Sequence, residues 1–268
     1  MTWVGLIGYG GIAQDVVAAL RDEDASGDTE ILGLLARSGR SEIARQKFPE
    51  LEIFESIEDL LTEGPDIVAE VASQGAVAEY GEQILRGGVD LLVISVGALA
   101  DPALHDRLET AADFGNSRML LPAGAIGGLD AIAAMRIGGL NSVRYRSRKP
   151  PAAWRGSPAE KVVDLGNLAK PAMLYTGTAR EAVLLYPQNA NVAASVALAG
   201  LGFEQTQVEL VADPDAPGNV HEIEAEGAAG KFAIRLEGKP SRTNPKTSAL
   251  ASLSVARALL NEQAAIVI

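Results

Sequence analysis

Only two histidines, His105 and His221, stand in this chain of 268 residues, and it has no cysteine. Imidazole is the side chain whose ordinary pKa, ~6.5, suits it to proton exchange near neutral pH. His105 lies in "DPALHDRLETAADF", four positions before Glu109 on the polar face of an expected helix, and reads as a surface residue. His221 lies in "GNVHEIEAEG", at the start of an expected strand after a loop containing Pro and Gly. On its residues alone it reads first as a satisfied structural histidine and second as a catalytic one. Two widely separated histidines without a cysteine make a poor ligand set, so no metal site is expected.

A second kind of chemistry is suggested by "GLIGYGGIAQDVV", residues 5–17, in which Gly8, Gly10 and Ala13 fit G-x-G-x-x-A. Gly8 would permit a tight turn, Gly10 would let a pyrophosphate approach, and Ala13 would let helix and strand pack closely. Gly11 and Ile12 would open the helix on whose N-terminus the phosphates rest. In a chain with 28 glycines the pattern alone is weak; the strand ending at Ile7 and the helix starting near Gly11 favour a dinucleotide over a purely structural turn. At the end of the second expected strand, "ARSGR" offers Arg37, Ser38 and Arg40 where NAD-selective proteins carry Asp or Glu. A guanidinium suits a 2′-phosphate, and no carboxylate is close by in the sequence, so NADP as well as NAD is expected to bind, with NADP favoured. The alternative is that both arginines are solvated loop residues.

Cations for an acidic ligand gather in "RYRSRKPP", with Lys246 further on. On a strand Arg144, Arg146 and Arg148 share one face and Lys149 points to the other. A solvated basic face on an otherwise acidic protein is an equally good reading of most of them.

These residues need elements to hold them. From residue 3 to about 121, short apolar runs ("WVGLIG", "EILGLLA", "LEIF", "DIVAEVA", "DLLVISV", "RMLLPA") alternate with helical patterns near 11–22, 41–48, 56–63, 75–87 and 102–115. That rhythm predicts an α/β, Rossmann-type doubly wound parallel sheet, with the turns at the carboxyl ends of its strands lining one crevice. After residue 126 the rhythm changes: a helix, the strand "SVRYRSRKP", a loop with Pro and Gly, two helices, then "QTQVELVAD", "VHEIEAEG" and "KFAIRLEG" as an antiparallel meander. The expected organisation is a dinucleotide-binding domain over 1–125 and an α+β catalytic and dimerisation domain over 126–243. A C-terminal helix over 244–268, with Pro245 in its first turn, is expected to pack back on the first domain. Edges of the meander suggest a homodimer.

A net charge of −12 argues against nucleic acid and anionic membranes as partners, and no apolar run reaches membrane-spanning length. "MTWVGLIG" reads as a first strand and not as a signal peptide, which makes the cytoplasm the expected compartment.

Taken together, "GLIGYGGIA", "SVGAL", "PAGAIGGLDA", "RKPP", "EAVLLYPQNANVAASVALAG", "GNVHEIEAEG" and "NPKTSALASLS" resemble the L-aspartate dehydrogenase family over nearly the whole chain. The resemblance implies oxidation of L-aspartate to iminoaspartate by NAD or NADP, the imine feeding NAD biosynthesis or hydrolysing to oxaloacetate and ammonia. It implies that His221 is the active-site histidine, accepting a proton from the substrate ammonium or activating water, which reverses the reading from residues alone. It also implies cofactor contacts at Ala123 and Asn189; the family often has Ser at the former, so a polar contact is lost there. Beyond what the resemblance implies, Lys149 or Lys246 is expected to bind a substrate carboxylate, and Asn191 to join Asn189 in anchoring the carboxamide or the substrate, with Asn189 the stronger candidate. The rival readings are a homoserine-dehydrogenase-like or dihydrodipicolinate-reductase-like enzyme, and a non-catalytic NAD(P)-binding sensor.

Overall fold

The computed structural model describes residues 1–24, 27–244 and 247–267, and the chain divides into two compact units. The first comprises Met1–Gly124 together with the segment from Ala251 onward; the second comprises Ala125–Leu250.

In the first unit, strands β1 (Thr2–Ile7), β2 (Thr29–Leu35), β3 (Glu52–Phe54), β4 (Ile67–Glu70), β5 (Asp90–Val93) and β6 (Met119–Leu120) form one parallel sheet. Its order, β3-β2-β1-β4-β5-β6, reverses between β1 and β4, which is the Rossmann-type switch point. Five helices connect the strands: α1 (Gly11–Glu23), α2 (Ser41–Lys47), α3 (Ile57–Thr62), α4 (Gln74–Arg86) and α5 (Pro102–Gly115). Helix α1 forms because Ala13, Val16, Val17 and Leu20 fall on one face, which buries them against the sheet residues Val4 and Leu6. Ser73 caps α4 by accepting from the Ala76 amide, and Asp101 caps α5 ahead of Pro102. Helix α9 (Ala249–Asn261) adds Ala251, Val255, Ala256 and Leu259 to the same hydrophobic core.

The second unit holds α6 (Leu129–Gly138), β7 (Leu140–Lys149), β8 (Ala172–Thr178), α7 (Ala179–Leu185), α8 (Asn191–Ala199), β9 (Gln207–Ala212), β10 (Asn219–Gly227) and β11 (Gly230–Gly238). Its sheet runs β11-β10-β7-β9-β8. The β10–β11 hairpin forms as the alternating pattern predicts, but the expected meander does not. Strand β7 stands between β9 and β10 and pairs parallel to β9, giving a mixed sheet. Strand β8, on the edge, falls in a segment read from sequence as loop and helix start. Pro245 lies outside the described residues, and α9 is described from Ala249 onward. Among the described residues no helix is long and apolar enough to cross a membrane.

Candidate active site

At the switch point of the first unit, β1 ends at Ile7 and the chain turns through Gly8 into α1. Gly8 has φ +111°, and a Cβ there would lie 2.9 Å from that of Ala72, so both conformation and space demand glycine. A Cβ on Gly10 would meet nothing within 4 Å, because this N-cap residue borders open space. Gly8 and Gly10 line a cavity of about 390 Å³ together with Arg37, Ser73, Glu79 and Tyr80. Gly11 opens α1, Ile12 is half-buried, and Ala13 is wholly buried in the core. The cavity therefore offers bare backbone and a helix N-terminus, the surroundings a pyrophosphate needs. Arg37 is exposed and makes no ion pair among the described residues. The expectation that no carboxylate is close by needs correcting, because α4 brings Glu79 to the same cavity. The turns after β5 and β6 are not among its lining residues, so Ala123, half-buried in the second of them, lies outside it.

The β4 end of the same sheet carries a wholly buried carboxylate, Glu70. It accepts from the Ala72 amide at 2.8 Å and from the Ser95 amide and hydroxyl, each at 3.0 Å. Burial raises its pKa, and these donors, with the Ser73 amide, pull it back down.

In the second unit, β7 turns Val143, Tyr145, Ser147 and Lys149 inward, and β10 turns His221 and Ile223 to the same side. His221 sits opposite Ser147, and Tyr145 opposite Ile223. The His221 imidazole is 3% exposed; its Nδ1 lies 2.7 Å from the Tyr145 hydroxyl, and its Nε2 is buried with no hydrogen-bond partner among the described residues. Burial, with the nearby Lys149 ammonium, pushes its pKa down to about 3. Lys149 is 8% exposed; its Nζ donates to the Asn189 carbonyl at 3.1 Å and lies 5.4 Å from the centre of the Trp154 ring. Burial lowers its pKa to about 8. A buried imidazole with a spare nitrogen beside a buried, easily deprotonated amine is a setting for proton transfer.

The structure thus gathers His221, Lys149 and Asn189 in one place. The Asn189 side chain, however, is engaged in donating to the Ala153 carbonyl at 3.1 Å. Asn191 is the half-buried first residue of α8. Lys246 lies outside the described residues. The three strand arginines face outward and are matched by carboxylates: Arg144 by Glu224, Arg146 by Glu209 and Glu222, Arg148 by Asp213 and Glu222. His105 pairs with Glu109 at 3.3 Å on α5. Sequence reasoning passed over Tyr145 and Trp154, although alternation along β7 puts Tyr145 on the same face as Lys149.

A family model described as "Aspartate dehydrogenase, C-terminal" matches residues 130–262, and one described as "Homoserine dehydrogenase, NAD binding domain" matches residues 8–122. An L-aspartate dehydrogenase of Polaromonas is 46% identical over 270 residues, covering 100% of both chains. The chain belongs to the L-aspartate dehydrogenase family. Another L-aspartate dehydrogenase, from Pseudomonas aeruginosa, is 53% identical over 204 residues, 76% of each chain. The crystal structure of the aspartate dehydrogenase of Thermotoga maritima superposes with a TM-score of 0.79 at 28% identity, covering 100% of this chain and 99% of that one. The family model that names homoserine dehydrogenase covers the nucleotide-binding part, whereas the model that covers the part bearing His221 and Lys149 is that of aspartate dehydrogenases. Membership of the L-aspartate dehydrogenase family makes the protein an NAD(P)-dependent amino-acid dehydrogenase and sets aside the sensor reading.

Proposed function

We propose that the chain oxidises L-aspartate to iminoaspartate, with Gly8, Gly10, Gly11 and Arg37 holding NAD or NADP and with His221 and Lys149 acting on the amino acid. The cofactor, when bound, supplies a hydride acceptor, and the imine then takes up water to give oxaloacetate and ammonia. Before hydride can leave the α-carbon, the substrate ammonium must lose a proton. Lys149, brought to about 8, is matched to that task, whereas His221, brought to about 3, stays neutral throughout the working range. In this reading Lys149 takes that proton, and His221, for which the family resemblance implies the same role, contacts the substrate as an uncharged hydrogen-bonding group.

The observation that carries this reading is the buried Nε2 of His221, without a partner among the described residues, beside Lys149 in a chain of this family. Absorbance at 340 nm with L-aspartate and each cofactor tests it, with homoserine, glutamate and alanine as comparison substrates. His221→Ala is expected to lower kcat by about 100-fold or more with cofactor affinity retained; parental turnover by that variant would refute the assignment. In the same reading the protein is a cytoplasmic homodimer that supplies iminoaspartate to NAD biosynthesis or breaks aspartate down.

A further inference from the structure

The Tyr145–His221 contact limits what the imidazole can do. The Tyr145 side chain is wholly buried, so its O–H must find an acceptor within the protein. Among the described residues the partner at hydrogen-bond geometry is His221 Nδ1, at 2.7 Å; the hydroxyl of Ser147, two residues along the strand, is close enough to pull the phenol pKa down slightly against burial but makes no bond of hydrogen-bond geometry. The two ring planes are only 15° apart, and the lone pair of Nδ1 lies in the imidazole plane, where the phenol can reach it.

Two arrangements of protons are open. If Nδ1 carried the ring proton and donated to the phenol oxygen, the Tyr145 O–H and the Nε2 lone pair would both be buried without partners. If the phenol donates to Nδ1, the ring proton sits on Nε2, and only that one N–H is left waiting. Because a buried donor or acceptor without a partner is costly, the second arrangement wins.

We infer that Tyr145 is a positioning residue for the reaction: its hydroxyl fixes His221 as the Nε2–H tautomer, so that the imidazole meets the substrate as a hydrogen-bond donor. The acceptor this suits is a carboxylate oxygen of a dicarboxylic amino acid. The inference rests on the functional reading given above, but its first test does not depend on turnover.

With only two histidines in the chain, ¹⁵N-histidine NMR of the ligand-free protein resolves both rings, and His105→Gln identifies the signals of His221. The expected result at neutral pH is Nε2–H with a non-protonated Nδ1; an Nδ1–H ring in the parent protein overturns the inference, whatever any variant does. Tyr145→Phe is expected to spread His221 over both tautomers and to lower kcat by about 10-fold or more, with the KM for cofactor unchanged. A Tyr145→Phe protein with parental tautomer and parental kcat also overturns it. Parental turnover in His221→Ala would instead refute the functional reading and leave the tautomer result standing.

Discussion

Each unit buries a titratable group at the carboxyl or amino end of a strand, and the two are treated differently. Glu70 is surrounded by donors: three hydrogen bonds at 3.0 Å or less reach its two oxygens from the turns that follow β4 and β5. Among the described residues His221 has one partner for two nitrogens, and Lys149 beside it has a carbonyl and an aromatic face but no carboxylate. A buried polar group whose capacity is filled ties backbone together; one left short costs stability and is free to engage a ligand. On this comparison Glu70 serves architecture, holding the turn that carries Ala72 and Ser73 along the cavity at Gly8 and Gly10. On the proposed reading His221 and Lys149 serve chemistry.

The sharpest way to break the comparison is Lys149→Met. Activity is expected to fall by about 100-fold or more, while Tm rises by about 5 °C because a desolvated charge is replaced by a thioether of similar length. In the parent, kcat should climb as pH rises through about 8, where Lys149 gives up its proton, and the variant should lack that limb. Loss of both activity and stability would place Lys149 with Glu70 instead.

Glu70→Gln tests the other side. Its amide NH₂ would face a backbone or hydroxyl donor where an oxygen now accepts, and unfolding in denaturant should become easier by about 2 kcal/mol. The aspartate KM should be little changed, since Glu70 belongs to the nucleotide-binding unit.

The smallest effect concerns acid. His221 titrates near 3 when folded against an ordinary 6.5, so between those values the unfolded chain binds more protons. Stability contributed by the neutral buried ring is complete above about 6.5 and is lost as pH falls toward 3. His221→Ala should flatten that part of a Tm-against-pH curve, measurable by differential scanning calorimetry.

How much of this was legible beforehand differs between the units for a physical reason. In the first, each strand is followed by a helix that returns the chain to a neighbouring parallel strand, so apolar runs and glycine turns reveal the sheet and the cradle at Gly8 and Gly10. In the second, β7 separates β9 from β10, and that pairing depends on contacts between distant segments that no local pattern encodes. The same distance hid the fate of the arginines: Glu209 on β9, Asp213 just beyond its end and Glu222 on β10, which neutralise Arg146 and Arg148, lie far along the chain. Alternation did separate those arginines from Lys149. What it could not give was the burial that shifts Lys149 and His221, or the donors that Ser95 brings to Glu70 from 25 residues away.

Helix α9 has a bearing on biogenesis. The interior around Val4, Val16 and Leu20 is completed by Val255 and Leu259, so a growing polypeptide emerging from the ribosome cannot seal its N-terminal sheet until translation has passed residue 259. The intervening unit has by then been made in full, and the earliest strands wait with an apolar flank uncovered, a natural occasion for a chaperone to hold them.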